Sequence, residues 1–190
     1  MPSMSRLFAG LALVIASPVI AILSLVIVLT SRGPAIFAQT RIGRDQQPFV
    51  CYKLRTMQTA APQAATHQVD AAMVTPFGRF LRTTKLDELP QLYNVARGDM
   101  AFIGPRPCLP SQTELIEARA RLGVYEMLPG ITGIAQIRGI DMSAPERLAI
   151  VDAEYLMCAD WWTDAKILVA TVVGAGFGDR VMRAVKDPAK

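Results

Sequence analysis

From Leu7 to Leu29 the chain reads LFAGLALVIASPVIAILSLVIVL, apolar at almost every position and without a charge. At 1.5 Å of rise per residue such a helix would be on the order of 35 Å long, enough to cross the hydrocarbon core of a bilayer. Ser17-Pro18 stands in its middle. A proline inside a helix removes a hydrogen bond, clashes with the preceding turn and biases the residue before it away from helical geometry, so a kink or break is expected there. Each half alone is too short to span, and a helix-break-helix hairpin with both ends on one face is one solution. Arg6 before the run and Arg32, Arg41 and Arg44 after it favour that re-entrant form, because cytoplasmic flanks are the ones enriched in Lys and Arg. A kinked helix that spans stays open on physical grounds, since membrane helices tolerate proline. A cleaved signal peptide fits less well: the run exceeds a usual signal core and no clear small-residue cleavage site follows.

Beyond Gly33-Pro34 the rhythm changes. AIFAQTRIGRDQQPFVCYKLRTM predicts two short strands joined by a turn at Gly43 to Pro48, a β-hairpin carrying Arg41, Arg44, Lys53 and Arg55. Gln58 to Met73 is polar and alanine-rich with one proline, and predicts a mobile loop. In TPFGRFLRTTKLDELPQLYNVARGD, Phe77, Phe80 and Leu81 fall at helical spacing, and Leu86, Leu89, Leu92 and Val95 recur about every three positions. Two short helices are expected, the second ending at Gly98, with Thr83 or Thr84 available as an N-cap. LPGITGIAQIRG predicts a tight loop approached closely by backbone or ligand. DWWTDAKILVATVVGAGFG sets two tryptophans before a short apolar run, which suits an interfacial helix with an aromatic edge or, equally, a core helix.

Composition sharpens this picture. With 52% hydrophobic and 19% charged residues, a mean hydropathy of +0.30 and a formal net charge of +4, the 190-residue chain is greasy for a soluble domain and points to membrane association. Its length supports one domain of modest core. Cys51, Cys108 and Cys158 are odd in number, widely spaced and form no C-x-x-C, which argues against a disulfide framework or zinc site and for a reducing compartment. The single histidine, His67, lies in a polar run, so neither a Ser-His-Asp nor a histidine-metal mechanism is expected.

The candidate chemistry lies at KLDELPQL. Pro90 is harmless only where backbone N–H groups lack a helical partner, so Asp87 and Glu88 belong at a helix start or kink. Carboxylates there are stabilised by the helix dipole, and a plain charged first turn accounts for them. The surroundings ask for more. Arg79, Arg82 and Lys85 precede the pair, and Gly104-Pro105-Arg106-Pro107 follows, with two prolines fixing the backbone around one arginine; that is an arrangement suited to phosphate, although a rigid turn with an exposed arginine is the plainer reading.

Taken in order, SPVIAILSLVIVLTSRGPAIFAQTRIG, PFVCYKLRTM, RFLRTTKLDELPQLYNVARGDMAFIGPRP and PGITGIAQIRG resemble the bacterial sugar transferase family, the small monotopic phosphoglycosyl transferases, from about Arg6 to Leu168. The resemblance implies transfer of a sugar-1-phosphate from a UDP-sugar to a polyprenol phosphate such as undecaprenyl phosphate, with release of UMP, use of Mg²⁺ and a covalent aspartyl-phosphosugar intermediate. It implies Asp87 as nucleophile with Glu88 beside it, both candidates for the metal, and Arg82 and Arg106 on phosphate oxygens, with Lys53 and Arg55 as further substrate-binding candidates. Family members read GRN or similar after PGxTGxAQ; here the run is Ile137-Arg138-Gly139-Ile140-Asp141, and Arg138 is the candidate to stand in for the missing arginine.

The expected fold is mixed α/β, mainly helical with a short β-hairpin. Residues 1–32 would form a re-entrant membrane helix broken at Ser17-Pro18. Residues 33–190 would form a compact catalytic domain with interfacial amphipathic helices on the cytoplasmic face of a bacterial inner membrane. The resemblance is to the minimal form, without an added multi-span region. Membrane lipids are expected partners, nucleic acid is not, and homo-oligomerisation is left open. Two rivals remain: a one-step transferase in which Asp87 and Glu88 only hold the metal, and a non-enzymatic membrane-surface scaffold with a basic face.

Overall fold

The computed structural model describes residues 2–59 and 71–173. Residues 60–70, with His67 and most of the loop expected over Gln58 to Met73, lie outside the described residues, as does the stretch after Val173. The fold is mixed α/β and mostly helical. Helix α1 (Pro2–Thr30) runs through Pro18 without interruption of its secondary structure, and the Ser17 hydroxyl donates to the Val14 carbonyl at 2.8 Å. Most of its apolar surface is uncovered: Leu7, Val14, Ile15, Ile22 and Leu29 are all more than half exposed. What α1 does bury, it buries against one body. Ala9 packs with Cys51, Val95 and Met100, while Leu23 and Ile27 pack with Leu54 and Leu81.

Strands β1 (Ile36–Ile42) and β2 (Pro48–Leu54) form the expected antiparallel hairpin, with Gln39 opposite Cys51 and Phe37 opposite Lys53. Helix α2 (Pro76–Thr84) starts at Thr75, whose hydroxyl accepts from the Gly78 N–H at 2.9 Å ahead of Pro76 in the first turn. Thr83 and Thr84 are therefore not N-caps. They end α2, their hydroxyls bonded back to the Arg79 and Phe80 carbonyls, because Lys85 takes a left-handed conformation (φ 57°) and stops the helix there. A single 3-10 turn, Leu86–Glu88, follows, and Pro90 then caps α3 (Gln91–Arg97), which ends at Gly98 as expected. Gly98 adopts φ 90°, and the Arg6 guanidinium of α1 occupies the space a side chain would need.

Two further strands, β3 (Ala101–Ile103) and β4 (Gly130–Thr132), pair in parallel. The glycines of LPGITG serve a close approach by backbone: a Cβ at Gly130 would strike the Gly104 nitrogen, and one at Gly133 the Gly104 carbonyl. Around this pair lie α4 (Thr113–Arg121), the single turn α5 (Ile134–Ile137), α6 (Pro145–Cys158) and α7 (Trp161–Val172). Leu115, Ala118, Leu148, Ala149 and Val151 join α4 to α6 in a second core. Helix α7 is neither wholly core nor wholly surface: Ile167 is buried, whereas Trp161 and Trp162 stack on each other in solvent and Val169 and Val172 are exposed.

Candidate active site

Alternation along β2 turns Lys53 toward the 3-10 turn of Asp87 and Glu88, because neighbours Tyr52 and Leu54 point to the other face. Asn94 of α3, fully buried, fixes the spacing. Its amide donates to the Val50 carbonyl at 2.7 Å and its oxygen accepts from the Tyr52 N–H at 3.1 Å, stitching α3 onto β2 directly behind the carboxylates. The left-handed Lys85 and Pro90 bracket the turn, so the two acids sit on a rigid step rather than inside a regular helix.

The two acids have separate fates. Glu88 Oε1 takes a bond from Lys53 Nζ at 3.1 Å and another from Arg106 Nη1 at 3.0 Å, all three side chains being largely covered. Asp87 is more deeply buried, 8% exposed, and among the described residues nothing donates a hydrogen bond to its carboxylate. Burial pushes the Asp87 carboxyl up to about 6; the charge of Glu88 adds to that, while Lys53, Arg106 and Arg82 pull the other way. Arg82 itself is set by Nε donating to the Thr56 hydroxyl at 2.9 Å. A desolvated carboxylate among three cations stands in a positive field of the kind that suits an anionic phosphate group.

A sequence profile of bacterial sugar transferases matches residues 3–177. The chain belongs to the bacterial sugar transferase family. Its relatives include a UDP-glucose:undecaprenyl-phosphate glucose-1-phosphate transferase of Caulobacter vibrioides, 39% identical over 174 residues that make up 86% of this chain and 65% of that protein. One of the same description from Escherichia coli is 38% identical over 175 residues, 86% of this chain and 37% of the relative. The uncharacterized sugar transferase EpsL of Bacillus subtilis is 37% identical over 174 residues, 89% and 85% of the two chains. The chain thus spans 65% and 37% of the length of the two transferases named for their reaction.

Of the residues the sequence singled out, this sugar transferase brings Lys53, Arg82, Asp87, Glu88 and Arg106 together. It sends two elsewhere. Arg55, 8% exposed, donates to the Ser31 carbonyl at 2.8 Å, the Ser31 hydroxyl at 2.9 Å and the Arg32 carbonyl at 2.6 Å, where it satisfies the open end of α1. Arg138 follows α5 and pairs with Glu154 of α6 at 2.6 Å on the surface, both about half exposed. Residues absent from the sequence reading also shape the site: Thr56 under Arg82, Asn94 behind the hairpin, and the buried pair of Arg119 and Asp152, whose guanidinium also donates to the Arg106 carbonyl at 2.9 Å. Asn94 shares the buried face of α3 with Gln91 and Val95, so its role left no clear local trace in the sequence.

The donor set suits a hard cation. Two adjacent carboxylates offer oxygen only, and among the described residues no group of three His, Cys, Asp or Glu side chains forms a complete cage. Mg²⁺ is commonly held by one or two carboxylates together with substrate phosphates and water.

Proposed function

We propose that this protein transfers a sugar-1-phosphate from a UDP-sugar to undecaprenyl phosphate and releases UMP, with Asp87 as the covalent nucleophile. The observation that carries the reading is the division of labour between the two acids: Lys53 and Arg106 close on Glu88, which leaves the Asp87 carboxylate buried, poorly solvated and unengaged. The names of the Caulobacter and Escherichia relatives supply the donor and acceptor class. In the first step an Asp87 carboxylate oxygen bonds to the β-phosphorus, the bond from that phosphorus to the bridging oxygen breaks, and the oxygen leaves with UMP. In the second, a phosphate oxygen of the lipid attacks the same phosphorus and the Asp87 carboxylate is released. With a carboxyl pushed up to about 6, Asp87 is still largely ionised above pH 7, as attack on the β-phosphorus requires. Arg82 and Arg106 hold the diphosphate oxygens, and Glu88 keeps Lys53 and Arg106 aimed before substrate arrives. Asp87 and Glu88 would hold Mg²⁺, which supplies neutralisation of the diphosphate and of the leaving UMP.

The same reading places α1 as a re-entrant segment, bent at Ser17-Pro18, that enters and leaves the cytoplasmic face of the inner membrane. Support comes from its two ends: Arg6 and Ala9 near one, and Leu23 and Ile27 near the other, touch the same body, whereas a helix crossing the bilayer could touch it with one end only. The exposed Trp161-Trp162 stack on α7 suits the headgroup layer beside it.

The test is purification in detergent, with a panel of UDP-sugars, Mg²⁺ and undecaprenyl phosphate, scored by UMP release. Release from at least one donor, abolished in Asp87→Asn, is expected. A phosphosugar adduct on Asp87 trapped before lipid is added separates the covalent route from one-step transfer, and no release from any donor overturns the reading.

A further inference from the structure

The loop that presents Arg106 is gripped carbonyl by carbonyl. Pro105 O accepts from the Gly130 N–H at 2.9 Å, Arg106 O from Arg119 Nη1 at 2.9 Å, Pro107 O from Arg41 Nη1 at 3.1 Å, and Cys108 O from the Ile42 N–H at 2.9 Å. Arg119 stands out among these donors because it is 1% exposed and comes from the core between α4 and α6. Its other nitrogens go to one acceptor: Nε lies 3.0 Å and Nη2 2.7 Å from Oδ2 of Asp152, itself 2% exposed. Burial pushes the Asp152 carboxyl up, and Arg119 offsets that only in part.

A buried ion pair is a poor way to hold two helices together, since apolar residues of similar volume often do as well or better. The rest of the buried α4–α6 contact is made in that apolar way, by Leu115, Ala118, Leu148 and Ala149, with the exposed Arg121–Glu146 pair at its rim. What the charged pair adds is the third bond, to a carbonyl flanked by two prolines that themselves carry no N–H. Arg106 then reaches Glu88 from a backbone held at four successive carbonyls.

We infer that Arg119, held by Asp152, is a positioning residue that sets where the Arg106 guanidinium meets Glu88 and the substrate diphosphate. The inference rests on the functional reading above. Its test replaces the pair by apolar side chains of similar volume, Arg119→Met with Asp152→Leu, in the full chain. Tm and the kcat and KM of UMP release are measured for wild type, this double variant, Arg106→Ala and the combination of all three changes.

The double variant is expected to keep the wild-type Tm while kcat falls roughly 10- to 100-fold, the scale at which small misplacements of a catalytic group act. Added to Arg106→Ala, the same two changes should cost less than about 2-fold, because residues that act as a unit are not additive. A folded double variant with wild-type kcat overturns the inference, as does an undiminished loss in the Arg106→Ala background. Should the double variant fail to fold, Arg119→Lys decides: it keeps a charge opposite Asp152 but lacks the second arm to the carbonyl. An unchanged kcat in that variant overturns the inference, and a loss of kcat at an unchanged Tm supports it. A wild type that releases no UMP from any donor overturns the functional reading and this inference with it, whereas an active wild type with insensitive variants sinks the inference alone.

Discussion

Asp152 and Asp87 are both buried aspartates, 2% and 8% exposed, and burial raises the pKa of each, yet their partners divide them. Around Asp152 the charge is spent: one arginine lays two nitrogens on a single carboxylate oxygen and its third on a backbone carbonyl. Around Asp87 the cations are near but aimed elsewhere, two of them at Glu88 and one at Thr56. The first arrangement is closed and fixes geometry. The second leaves a carboxylate in a positive field without satisfying it, which is unfavourable for folding and useful for attacking an anion.

The widest gap between the two should appear in catalysis: Asp87→Asn should lower UMP release by at least about 1,000-fold, since the neighbouring carboxylate, Glu88, is held by Lys53 and Arg106. A residual rate near wild type would erase the distinction drawn between the aspartates. Asp152→Asn should act on stability instead. It strands a buried guanidinium, and chemical denaturation should show a loss of about 3–5 kcal/mol.

The opposite sign is expected at Asp87. Because its carboxyl is raised to about 6 from an ordinary 3.8, the folded state holds more protons than the unfolded one between those values, so stability falls as pH rises through that window and stays lower above it. In Mg²⁺-free buffer, Asp87→Asn should therefore be more stable than wild type at pH 7.5, by on the order of 2 kcal/mol, and the difference should vanish below about pH 4. Equal Tm values at both pH values would show that Asp87 is better satisfied than its surroundings indicate. The smallest effect belongs to the exposed Arg138–Glu154 pair: Arg138→Ala should cost under about 1 kcal/mol of stability. If it also left UMP release unchanged, Arg138 would be excluded as a stand-in for the family's arginine.

How far these regions were legible in the sequence follows from how local their causes are. The hairpin was legible because alternation and a turn lie within one short stretch, and the place of Asp87 and Glu88 because Pro90 forbids a helix through them. Thr75 as the cap of α2 carried a readable sign, threonine directly before proline at a helix start, as did Pro145 followed by Glu146 at the start of α6. The roles of Arg55 and Arg119 carried none. Each donates to backbone carbonyls, and any residue type has those; the partner of Arg119 on α6 is thirty-three positions away. Spacing likewise could not tell that Arg138 would turn toward Glu154, because that depends on where α6 lies beside α5.

Cys158 offers a way to read the membrane directly. Cys51 and Cys108 are buried, so a thiol-directed reporter should attach at Cys158 at the end of α6, two positions before Asp160 caps α7 and three before the tryptophan stack. A fluorophore or spin label there becomes a depth gauge: quenchers fixed at different levels of the acyl chain would measure how far this edge of the protein sinks into the leaflet, with the native cysteines left in place.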